Sequence, residues 1–83
     1  YVVGFAAETD KLIENAEKKL KNKKLDLIVA NDVSDKSIGF DSEENEVTLI
    51  TKEEKQLLKK QNKKKISKKI IEFISGRINE QNN

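Results

Sequence analysis

Two continuous apolar runs flank one helical period at the start of the chain, and their order sets the expected fold. Tyr1-Val2-Val3-Gly4-Phe5-Ala6-Ala7 mixes β-branched and aromatic residues without alternation, the pattern of a strand buried on both faces. Leu12, Ile13, Ala16 and Leu20 then recur at helical spacing, with Lys11, Glu14, Glu17, Lys18 and Lys21 filling the other side. An amphipathic helix is expected from Asp10 to about Lys21, capped by the side-chain oxygen of Thr9 or Asp10. Leu25-Asp26-Leu27-Ile28-Val29-Ala30 supplies a second strand. Strand, helix and strand joined by short connections predict an α/β fold built on a right-handed βαβ unit with parallel strands.

Beyond that unit the pattern weakens. Residues 31–45 have turn composition, with Ile38 and Phe40 the two side chains expected to pin the segment down. Glu46 to Thr51 reads as a further strand. From Lys52 to Lys65 the Glu, Lys, Gln and Leu content favours a helix, yet Leu57 and Leu58 are the only apolar residues, so helix and strand both stay open. Ile66, Ile70, Ile71, Phe73, Ile74 and Ile78 form an apolar stripe that predicts a terminal helix from about Asn62 or Lys64 to about Asn79.

Composition narrows the chemistry. With 83 residues, 35% hydrophobic and 39% charged, the chain has room for one small domain with a thin core. No stretch approaches the roughly 20 apolar residues of a membrane span, so no membrane association is expected. Cys and His are absent, which removes thiolate nucleophiles, imidazole triads and the usual zinc ligands. The chain contains no Met and opens directly on an apolar strand, so it reads as a fragment.

The formal charge of +2 hides a segregation. Residues 52–69 hold nine lysines against two acids, a net +7, whereas residues 1–51 hold seven lysines against eleven acids, a net −4. The basic block lacks the aromatic residues that stack on bases and the arginines that read guanine. A solvated surface is expected there, without sequence-specific nucleic-acid binding, and a basic nucleic-acid-binding module or a dimerisation module is the alternative reading of the chain.

In open α/β sheets ligands collect at the carboxyl ends of parallel strands. Gly4 to Thr9 and Ala30 to Ser34 leave the two strands at that end, although composition alone favours a packed strand with a capped helix start for the first and a polar turn for the second. Lys19 and Lys23 stand one helical turn apart and form a candidate pair for phosphate, with Lys18, Lys21 and Lys24 as equally eligible neighbours.

The blocks VGFAAET (Val3 to Thr9) and LDLIVANDVS (Leu25 to Ser34), followed by Gly39-Phe40-Asp41-Ser42, resemble the carboxyl-terminal part of the phosphopantothenate-cysteine ligase domain in the bacterial bifunctional coenzyme A biosynthesis flavoprotein. The resemblance covers about half of the chain. It implies a carboxyl-terminal fragment of a Rossmann-like domain, with residues 1–34 as the βαβ unit, 35–61 as a loop and hairpin, and 62–80 as the closing helix. It resolves the ambiguous stretch as a hairpin turn over Lys52 to Lys55 and a strand over Gln56 to Lys60.

The resemblance also implies a cytoplasmic ligase that uses CTP and a divalent cation such as Mg to join 4'-phosphopantothenate to cysteine through an acyl cytidylate. CTP contacts fall on Phe5, Lys19 and Lys23; Asn31 and Asp32 match without assigned roles. FMN is expected only in a fused decarboxylase domain, and a homodimer is implied. The family's K-x-K-K flap, its N-P-D-I segment and its phosphate loop have no counterpart in these residues, so no catalytic residue and no activity are expected of the fragment alone.

Overall fold

The computed structural model describes residues 1–34 and 43–82. Ile38 and Phe40, expected to pin the loop, lie outside them. The element order is β1 (Val3–Glu8), α1 (Leu12–Asn22), β2 (Leu27–Asp32), β3 (Glu44–Ile50), β4 (Lys55–Asn62) and α2 (Lys63–Asn82). The strands form one sheet in the order β1-β2-β3-β4. β1 and β2 are parallel, and the remaining neighbours are antiparallel.

Each sheet face carries one helix. On one side Ala6, Ile28, Ala30 and Ile50 pack with Ala16 and Leu20 of α1. On the other, Leu27, Val29, Val47, Leu49 and Leu58 pack with Ile66 of α2. Residue parity therefore decides which helix a strand side chain meets.

Both parallel strands begin two residues later than the apolar runs suggest. Leu25 belongs to the turn that ends α1, where its N–H donates to Leu20 O at 2.9 Å. Asp26 ties the turn to the chain start, accepting the Val2 N–H on Oδ2 at 2.6 Å. The expected side-chain cap of α1 is absent. Lys11 occupies the N-cap position in the left-handed region, at φ 48°, with no side-chain cap bond. Lys24, at φ 53°, holds the position after the helix that glycine commonly takes.

β1 is not buried on both faces. Ala6 is its only buried residue, and Val2 and Phe5 are exposed. Val2 O accepts from the Asp26 and Leu27 amides, and Glu8 O accepts from Val33, so the even-numbered residues of β1 turn their backbone groups toward β2. Val3, Phe5 and Ala7 turn theirs to the outer edge, where no described strand pairs with them.

The lysine-rich stretch is a strand. Thr51 closes the hairpin, its N–H donating to Glu54 O at 2.9 Å while its Oγ1 accepts from the Glu53 and Glu54 amides at 3.2 and 3.1 Å. The turn thus lies one residue earlier than expected, and β4 runs to Asn62. Leu58 is the one buried side chain of β4, enough for an edge strand that covers a single face. Where the chain enters α2, Asn62 Oδ1 accepts the Lys64 N–H at 2.8 Å. No helix among the described residues is long and apolar enough to cross a membrane.

Candidate functional site

The carboxyl ends of β1 and β2 present different chemistry on the two sheet faces. The register pairs Phe5 with Val29, Ala7 with Asn31, and Asn31 with Val47. Val29 and Val47 belong to the core under α2, so Phe5 and Asn31 share that face. Together with Ala7, Lys63, Ser67 and Ile70 they line a groove of about 370 Å³ between the sheet and the first turns of α2.

Two features distinguish the groove. The Phe5 side chain stands 73% exposed, with its ring unused by the core. Among the described residues Asn31 Oδ1 is buried without a hydrogen-bond partner, although buried acceptors are nearly always satisfied. An apolar plate beside an unused acceptor can hold a flat ring that carries an N–H donor on its edge.

The opposite face is polar and already paired. Glu8 and Asp32 are neighbours in register. Lys19 Nζ donates to Glu8 Oε1 at 2.6 Å, and Asn15 Nδ2 lies 3.5 Å from Glu8 Oε2. Asp32 Oδ1 accepts the Ser34 N–H at 2.9 Å and its hydroxyl at 2.6 Å, a local turn that occupies the carboxylate. Lys23, the C-cap residue of α1, is exposed at the other end of that helix.

The five residues singled out from sequence thus divide between two faces: Phe5 and Asn31 under α2, Asp32 on the other face together with Lys19 of α1, and Lys23 away from both carboxyl ends. Lys63 and Ser67 were missed, because their approach to the sheet depends on how α2 docks and no local pattern encodes that. Among the described residues no cluster of three or more acidic side chains is arranged to hold a metal ion.

Residues 1–77 match the family described as DNA/pantothenate metabolism flavoprotein C-terminal domain. A relative named coenzyme A biosynthesis bifunctional protein CoaBC, from Escherichia coli K12, is 40% identical over 99% of this chain and 20% of its own length. The crystal structure of the C-terminal domain of coenzyme A biosynthesis bifunctional protein CoaBC superposes with a TM-score of 0.75 at 34% identity, covering 94% of this chain and 35% of that one. The DNA/pantothenate metabolism flavoprotein from Streptococcus pneumoniae gives 0.70 at 28% identity, covering 89% of this chain and 33% of that one. The chain therefore spans about a fifth of the length of the curated relatives it matches.

These matches correct the assignment drawn from the VGFAAET and LDLIVANDVS blocks. They support the C-terminal domain of a flavoprotein rather than the ligase domain, so the CTP-dependent ligase reaction is withdrawn. CTP, 4'-phosphopantothenate and cysteine are withdrawn as partners, as is the divalent cation that accompanied CTP. The exclusion of FMN from this segment falls as well, because the matched family is that of a flavoprotein. In physical terms the two blocks are the strand ends and turns that build the βαβ unit, and the residues expected at one nucleotide stand on opposite faces of the sheet. With the match spanning nearly the whole sequence, the chain belongs to the DNA/pantothenate metabolism flavoprotein C-terminal domain family.

Proposed function

We propose that this chain is a ligand-binding part of a cytoplasmic flavoprotein of coenzyme A biosynthesis, and that its groove between β1, β2 and α2 holds a phosphorylated aromatic heterocycle. The observation that carries this reading is the buried, unpartnered Asn31 Oδ1 next to the exposed Phe5 ring. Phe5 packs on the face of the heterocycle, and Asn31 accepts an N–H from its edge. A volume near 370 Å³ lies within the range of small-molecule sites, roughly 300–1,000 Å³. FMN and nucleoside monophosphates both belong to the ligand class, and the groove residues fit the ring of either one. Lys19 and Lys23 have no part in this reading, since Glu8 holds the first and the second lies at the far end of α1.

Calorimetric titration of the purified protein carrying this chain with AMP and with FMN tests the proposal. Phe5→Ala and Asn31→Ala should each weaken the ligand that occupies the groove by about tenfold, equivalent to roughly 1.4 kcal/mol. Leu57→Ala, on the other face of the sheet, should leave both affinities unchanged. Unaltered affinities in both groove variants, or no binding of either ligand, overturn the proposal.

A further inference from the structure

α2 is held to the sheet by little for its length. Among the described residues Ile66 is its one buried side chain, with Ile70, Phe73 and Ile74 partly buried, whereas β2 buries Leu27, Ile28, Val29 and Ala30. At its start the helix is fixed by continuity with β4 and by the Lys63 N–H, which donates to Glu43 O at 2.9 Å. Its far half is fastened by Arg77. Nη2 of that residue donates to Glu54 Oε1 beside the β3–β4 turn, Nη1 donates to Glu80 Oε2 at 3.3 Å, and Cζ lies 4.8 Å from the centre of the Phe73 ring.

Arg77 is the only arginine in a chain that otherwise uses lysine. Exposed ion pairs contribute little singly. A planar fork that stacks on a ring while reaching two carboxylates is a geometry that lysine does not reproduce. Beside it, a β-carbon on Gly76 would meet nothing within 4 Å, so no packing calls for a residue that weakens a helix interior. The clasp therefore sits about 22 Å along the helix from Asn62, at about 1.5 Å per residue, on a segment whose own helical strength is reduced.

We propose that α2 is a hinged wall, closed by Arg77, that swings off the sheet while the βαβ unit stays folded. Lys63, Ser67 and Ile70 form the α2 side of the groove, so the groove exists only while the clasp is shut. The proposal concerns the wall and holds whatever the groove contains. Off the sheet, α2 loses the packing that supplies most of a helix's stability, so its amides lose protection each time the wall opens.

Hydrogen exchange of the purified protein carrying this chain, read by mass spectrometry on peptides from α2 and β2, tests the proposal. In the unaltered protein the protection of α2 should lie about tenfold or more below that of β2. Arg77→Lys should lower α2 protection by roughly a further tenfold and leave β2 unchanged. Glu54→Ala should have the same effect, and combining the two should add nothing. Lys69→Gln, on the same helix and outside the clasp, should alter neither peptide. Equal protection of α2 and β2 in the unaltered protein overturns the proposal, because α2 then opens only with the whole domain. It is equally overturned if Arg77→Lys matches the unaltered protein, or if Arg77→Lys and Glu54→Ala lower α2 and β2 by one common factor.

Discussion

Lys19 Nζ sits 2.6 Å from Glu8 Oε1, so the middle of α1 is tied to the carboxyl end of β1 by one charge-assisted bond. The Glu8 side chain is only 12% exposed, against 43% for Lys19. The bond therefore satisfies a carboxylate that has little access to water, while its cation remains partly solvated.

Removing the cation should cost stability. Lys19→Ala leaves Glu8 with the long Asn15 contact alone and is expected to lower unfolding free energy by about 1 kcal/mol, discounted for the solvent around the lysine. For a domain of this size that is a fall in Tm of about 4–8 °C. A double-mutant cycle with Glu8→Ala should show coupling of about 0.5 kcal/mol or more in urea unfolding, and strictly additive losses would refute the pairing.

Lys24 should gain from replacement by glycine. Its φ of 53° places a β-carbon in the left-handed region, and Lys24→Gly should raise stability by about 0.5–1 kcal/mol. Lys23→Gly, at φ −95°, relieves no such strain and should give no gain. A chemical denaturation midpoint that moves equally for both variants would contradict this account.

Gly4 is fixed by closeness rather than by φ. A β-carbon there would lie 2.6 Å from Leu25 Cδ1, the tip of a side chain packed against the α1 core. Gly4→Ala should cost about 1 kcal/mol by overpacking. Because the obstacle is a side chain, Leu25→Ala should recover part of that loss, giving a smaller penalty for Gly4→Ala in that background. An unchanged penalty would place the constraint in the backbone instead.

Tyr1 is the only tyrosine in a chain without tryptophan, so its ionisation can be followed directly by near-ultraviolet absorbance. Burial raises the phenol above its ordinary range, and the charge of Asp26 adds to the rise. The folded state thus holds the proton more tightly than the unfolded state. The associated stability is complete below about pH 10 and is lost as pH climbs through the folded value. Asp26→Asn should move the absorbance midpoint downward, and a midpoint already at the free-tyrosine value in the unaltered protein would contradict the assignment.

The βαβ unit was legible because two apolar runs around one helical period admit few alternatives. Its boundaries were not. Asn31 and Asp32 look like loop residues but stay in register with Ala7 and Glu8, since a strand end keeps its ladder after its side chains turn polar. β4 hid behind helix-forming lysines because an edge strand covering one face needs a single buried residue, Leu58. For the site, the identities of Phe5 and Asn31 were readable and so was the parity that joins them. The same parity sets Glu8 and Asp32 on the other face, a separation that spacing within one segment does not reveal. The contribution of α2 depended on docking, which the stripe from Ile66 to Ile78 leaves undefined.

The two edges of the sheet have opposite colloidal character. β4 bears Lys55, Lys59 and Lys60, and lysines along an edge strand discourage a second copy from aligning with it. β1 offers the uncharged backbone groups of Val3, Phe5 and Ala7 between apolar side chains, with no charge before Glu8. The sheet is therefore a one-ended template. Added salt screens the lysines of one edge and leaves the neutral edge as attractive as before, so the solubility of this chain is governed by whether β1 is covered and only weakly by its net charge.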